Sequence, residues 1–140
     1  MLGKLAKRLR LLGVDVLYDS AHDDNEIIHL SLKQQRVILT RDIALTGRPL
    51  ASNHLLISSD HIQDQVKQVL AAFPTAALTR PLTRCSRCND LLTLIRKEDA
   101  QDRVPHHVYS TVDDFLQCPR CGRTYWNGTH VMRMSIHGRI

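Results

Sequence analysis

The sequence predicts an α/β fold with a parallel sheet, followed by a small zinc-stapled module, and three observations lead there. Through the first half of the chain, short apolar runs alternate with stretches of helical period, the pattern of crossover units that lay strands parallel. Further on, four cysteines stand as Cys85-x-x-Cys88 and Cys118-x-x-Cys121, the spacing of two metal-binding turns. Between the halves, residues 74–84 (PTAALTRPLTR) break the periodicity. They divide the chain into residues 1–80 and residues 81–140.

Leu2, Leu5, Ala6, Leu9 and Leu12 recur at helical spacing with basic residues between them, and Gly13 supplies a stop. An amphipathic helix is expected there. Residues 14–18 (VDVLY) read as a short strand, and a polar loop follows. The next helix is capped near Asp23 or Asp24 and buries Ile27, Ile28 and Leu32. Residues 36–40 (RVILT) form a second strand, whose unbroken apolar centre suits a parallel strand covered on both faces. A third strand, residues 54–58, leads into a helix over about residues 60–73 with Ile62, Val66, Val69 and Leu70 on one face.

With 140 residues, 43% hydrophobic and 24% charged, the chain has room for one ordinary core and a metal-stapled module. Residues 1–10 hold no apolar core of signal-peptide length, and no run is long enough to cross a membrane. A cytoplasmic protein is expected, without a membrane partner. In that compartment the cysteines point to one zinc ion rather than to disulfides. Asn89 and Gly122 directly follow the two pairs and best tolerate the left-handed backbone that such turns require. A module of this size buries little core, so structural zinc supplies folding energy.

The formal charge is +5, concentrated in two places. Lys4, Lys7, Arg8 and Arg10 crowd the first helix, while Arg84, Arg87, Arg120 and Arg123 surround the cysteines. Both patches suit phosphates, although the first is equally a solvated helix face. Tyr125 and Trp126 are candidates to stack on unpaired bases; alternatively Trp126 covers the module's small core.

Parallel sheets gather working residues beyond the carboxyl ends of their strands. Here that edge collects Asp23, Asp24, Arg41 and Asp42. Clustered carboxylates suit magnesium or manganese, yet Asp24 and Asp42 also stand where helix caps occur. No Gly-x-Ser-x-Gly, Walker or dinucleotide loop is present, and the histidines show no paired metal-ligand spacing.

The segments MLGKLAKRLRLLG (1–13), Asp23-Asp24, ILTRD (38–42), RCSRCN (84–89) and CPRCGRTYWNGTH (118–130) together closely resemble the PIN-like RNase domain found at the C-terminus of the Mut-seven exonuclease. The resemblance spans nearly the whole chain. It implies a PIN-like three-layer core joined to a zinc ribbon, with carboxylate-held magnesium or manganese for hydrolysis of RNA phosphodiester bonds. On that likeness Asp24 and Asp42 bind the metal, Asp23 assists, Thr40 and Arg41 shape the site, and Arg41 meets a phosphate. His130 falls in the matched segment without an assigned role. The family also looks to carry a strand ending in a catalytic aspartate just before the Met-Leu-Gly segment; this chain begins at that methionine, so the first strand is expected to be missing.

Two functions follow. One is a metal-dependent ribonuclease whose zinc ribbon aids RNA binding; the other is a catalytically inactive zinc-ribbon protein that binds RNA. A third, a structural ribbon docking a protein, would show no salt-sensitive RNA binding.

Overall fold

The computed structural model describes residues 2–76 and 80–127, and His130 lies outside them. Helix α1 (Gly3–Leu11) turns Leu5 and Leu9 wholly inward, where they meet Ile57 and the Val66, Val69 and Leu70 face of α4 (Ile62–Ala72). Gly13 ends this element at φ 93°. A side chain there would run into the Arg80 carbonyl oxygen and the Thr83 hydroxyl, so the stop read from sequence is also a close approach that only glycine permits.

Helix α2 (Asp24–Gln34) starts at Asp23, which accepts from the Glu26 N–H while Glu26 accepts from the Asp23 N–H, both at 2.8 Å. This capping box satisfies two N–H groups that the first turn would otherwise strand. The buried face differs from the sequence expectation: Ile28 and Ser31 are buried, whereas Leu32 is 55% exposed. Ser31 belongs inside because its hydroxyl donates to the Arg36 carbonyl at 2.7 Å, closing the turn into β1 (Ile38–Thr40). A short helix α3 (Ile43–Thr46) and a 3₁₀ turn (Pro49–Ala51) then return the chain to β2 (His54–Leu56). The strands are parallel, with Ile38 opposite His54 and Thr40 opposite Leu56.

The expected strand over residues 14–18 does not form; the parallel sheet has two strands among the described residues. The segment's polar groups are taken elsewhere. Val14 N–H donates to the Leu9 carbonyl, Val16 N–H to the Asn89 side chain, and the Val16 carbonyl accepts from Arg10 Nε. Hydrophobic alternation marks an extended chain, but a strand also needs a neighbour to receive its backbone bonds.

The C-terminal part is a three-stranded antiparallel sheet in the order β3 (Thr93–Ile95), β4 (Phe115–Gln117), β5 (Thr124–Trp126). A 3₁₀ turn (Lys97–Ala100) and helix α5 (His106–Thr111) fill the β3–β4 connection. Phe115, fully buried, packs with Ala100 and Val108, and its ring makes a T-shaped contact with Trp126 at a centroid distance of 6.4 Å. The molecule is therefore mixed α/β, with a small parallel sheet, an antiparallel sheet and a separate cluster around the cysteines. No helix among the described residues is long and apolar enough to cross a membrane.

Candidate functional site

The two cysteine pairs build one centre from two matching turns. In the first, Asn89 N–H donates to the Cys85 carbonyl and Cys85 N–H to the Asp90 carbonyl, both at 2.9 Å. In the second, Gly122 N–H donates to the Cys118 carbonyl at 2.9 Å and Cys118 N–H to the Arg123 carbonyl at 3.0 Å. The offsets are identical, and Asn89 and Gly122 take φ of 67° and 76°, as the sequence predicted for these two positions.

These turns bring all four sulfur atoms within 4.8 Å of one another. Cys85 and Cys121 are 3.7 Å apart, close to the edge of about 3.8 Å that Zn–S bonds of about 2.3 Å give a tetrahedron. The four thiols thus stand in position for one metal ion, and their softness suits zinc. Burial pushes the Cys85 thiol up, but hydrogen bonding with Tyr125 and from the backbone of Cys88 and Arg87 outweighs it and brings the pKa to about 7. Burial and the neighbouring sulfurs push Cys88 up to about 12, and burial raises Cys118 as well. A bound cation is what would let the thiols ionise together.

Tyr125 corrects the sequence reading. Its ring is only 8% exposed, and its hydroxyl lies 3.1 Å from Cys85 Sγ and accepts from the Ser86 N–H at 3.0 Å. The ring is buried rather than open to a base, and the hydroxyl is taken up by Cys85 and Ser86. Trp126 is half-buried against Phe115, as its core-covering alternative expected. Arg87 and Arg123 are exposed beside the cysteines, and Arg120 is exposed while pairing with Asp90 at 2.9 Å. On α1, Lys4 and Lys7 are exposed and Arg8 half-buried. Arg10, which the sequence placed in that same patch, is 6% exposed and has a structural task.

That task joins the two halves. Arg10 Nε donates to the Val16 carbonyl at 2.9 Å, and Nη1 donates to the Ser86 and Arg87 carbonyls at 3.0 and 3.2 Å. From the other side, Asn89 accepts the Val16 N–H at 3.1 Å and donates to Asp15 at 2.6 Å. Burial lowers the Arg10 pKa from its ordinary value, opposed by the nearby cysteine sulfurs and Asp15. Nothing in the sequence distinguished Arg10 from its exposed neighbours except its position one turn after the buried Ala6, on the inward face.

At the end of β1, a groove of about 510 Å³ opens between α1, residues 14–20 and the sheet. Its floor is apolar, including Leu5, Leu9, Leu39 and Val69, and Asp15, Asp19, His22, Thr40, Arg41 and Asp42 also line it. Asp42 N–H donates to the Thr40 hydroxyl at 3.0 Å, and one Asp42 carboxylate oxygen caps α3 by accepting from Ala44 N–H at 2.9 Å. Arg41 forms an ion pair with Asp60. Asp24, the first residue of α2, is exposed, and its carboxylate has no bonding partner among the described residues. Asp23 is engaged in its capping box. The cysteines are the one group of three or more potential metal ligands that lie together among the described residues; Asp42 lines the groove while Asp23 and Asp24 do not, and the three form no common coordination sphere.

A family model described as the Mut7-C RNAse domain matches residues 1–137. No curated protein and no solved structure matches the chain.

Proposed function

The chain belongs to the Mut7-C RNAse domain family, and from that membership we propose that it is a metal-dependent ribonuclease whose zinc-bearing module aids RNA binding. The observation that carries this reading is the family match over essentially the whole chain, together with Asp42 and Arg41 at the end of β1, where a parallel sheet places its chemistry. Hard oxygen donors fit magnesium or manganese, which commonly use one or two carboxylates and complete their shell with water and substrate phosphate. Asp42, with one oxygen not engaged by its cap, and Asp24 are the ligands we assign. A bound divalent cation there would polarise a phosphoryl oxygen and acidify a water.

The chain's own residues do the rest. Thr40 holds the Asp42 backbone through its hydroxyl, fixing the direction of the carboxylate. Arg41 exchanges Asp60 for a phosphate, which its planar guanidinium can grip with two bonds. Exposed Arg87, Arg120 and Arg123, with Lys4, Lys7 and Arg8, supply the sequence-independent attraction for the RNA backbone. Trp126, half-buried, is retained as a stacking residue. Zinc thiolates further favour a reducing, cytoplasmic setting.

The second reading, an RNA-binding protein without catalysis, draws on the fact that Asp23 and Asp42 already serve as caps. Labelled single-stranded RNA incubated with the zinc-loaded chain separates the two. Cleavage that appears with manganese and stops with EDTA supports the ribonuclease; salt-sensitive binding with no cleavage under either condition leaves the binding module.

A further inference from the structure

We propose that the first cysteine turn is a clasp: loading of the four thiolates fixes Ser86, Arg87 and Asn89 so that they hold residues 14–16 as a wall of the groove, coupling the zinc site to that wall. This goes beyond the ribonuclease reading and does not depend on cleavage.

Among the described residues, no strand lies beside residues 14–16 to set their position. Both polar backbone groups of Val16 are instead satisfied by side chains, the N–H by Asn89 and the carbonyl by Arg10. The same Arg10 guanidinium holds the carbonyls of Ser86 and Arg87, the two residues enclosed between Cys85 and Cys88. Asn89 is aimed by the turn itself, since its left-handed backbone and its N–H bond to the Cys85 carbonyl set the direction of its side chain. Arg10 and Asn89 are therefore positioning residues with one end on the turn and the other on the wall. A cation that draws four mutually repelling thiolates together fixes the turn, and a fixed turn presents these bonds at full strength.

Coupling of this kind is reciprocal: if the zinc site orders the wall, the wall must favour zinc by the same factor. Asp15 tests that direction, because it touches Asn89 but lies 74 residues from it in sequence and contributes no ligand.

The experiment uses the full zinc-loaded chain and reads amide hydrogen exchange by NMR, with zinc affinity measured by competition against a chromophoric chelator. Asn89→Gly keeps a residue at ease with the left-handed backbone and removes the side chain. With zinc still bound at one per chain, Val16 exchange should rise on the order of tenfold, while the Ile38 amide, bonded to the Asn53 carbonyl, stays as it was. Asp15→Ala should weaken zinc on the order of fivefold, and Asp15→Asn, which keeps an acceptor for Asn89, should recover most of that loss. Unchanged Val16 exchange in zinc-bound Asn89→Gly overturns the clasp, as does wild-type zinc affinity in Asp15→Ala. If Asn89→Gly takes up no zinc, the Asp15→Ala affinity alone decides.

Discussion

The Tyr125 hydroxyl lies 3.1 Å from Cys85 Sγ while accepting the Ser86 N–H at 3.0 Å. A residue that looks aromatic and available in sequence thus supports the cysteine cluster from within, contacting one of its sulfurs and satisfying a buried donor together. Tyr125→Phe removes both functions. Leaving the Ser86 N–H unpaired should cost about 1–3 kcal/mol, and zinc affinity should fall on the order of tenfold. Urea unfolding at fixed zinc and chelator competition read the two effects separately; an unaltered zinc affinity would show that the hydroxyl does not tune Cys85.

Trp126 is the chain's single tryptophan and packs on Phe115 in the sheet carrying the second cysteine turn. Chelating the zinc should therefore shift its fluorescence toward that of a solvated indole as the small module loses its staple. Circular dichroism should keep the helical signal of α1, α2 and α4, whose cores are distinct clusters. An emission spectrum indifferent to the chelator would mean that the module holds its packing without metal.

Much of this architecture was legible in advance, for identifiable reasons. The cysteine spacing with Asn89 and Gly122 behind it encodes local geometry, which a single turn decides. Helices α1, α2 and α4 followed their apolar period to within a few residues. Asp23, rather than Asp24, became the cap because Glu26 stands three residues after it and completes the reciprocal pair. What escaped depended on partners distant in sequence. Residues 14–18 have strand-like alternation, but their bonds are claimed by Arg10 and Asn89. Tyr125 and Arg10 carry the same letters as exposed residues and are buried by contacts across 40 and 76 positions. At the sheet edge, sequence order grouped Asp24 with Asp42, yet only Asp42 lines the groove, and its carboxylate is turned to the cap of α3.

Gly13→Ala should destabilise the chain by more than about 1 kcal/mol. The backbone there is left-handed, and the new methyl would meet the Arg80 carbonyl where the chain passes into the cysteine module. Thermal unfolding at constant zinc measures this, and a melting temperature equal to that of the wild type would contradict it.

Burial raises the Asp15 pKa, but hydrogen bonds from Asn89 and Arg36 and the nearby Arg84 outweigh it and hold the carboxyl below its ordinary 3.8. A folded-state pKa depressed below the unfolded one contributes stability that is present above the unfolded value and lost as pH falls through the folded one. The stability difference between the wild type and Asp15→Asn should accordingly hold near neutrality and shrink as pH drops below about 4. A difference that grew toward acid would reverse the sign assigned to this group.

The most direct test of the ribonuclease reading is cleavage of labelled single-stranded RNA in manganese by Asp42→Asn beside the wild type, with unfolding measured on both. Asparagine caps a helix about as well as aspartate but is a far poorer ligand for a hard cation. Retained stability with cleavage reduced on the order of a hundredfold or more is the result predicted for a metal-binding Asp42. Cleavage equal to the wild type in an equally stable variant would contradict it and leave Asp42 as the cap of α3 alone.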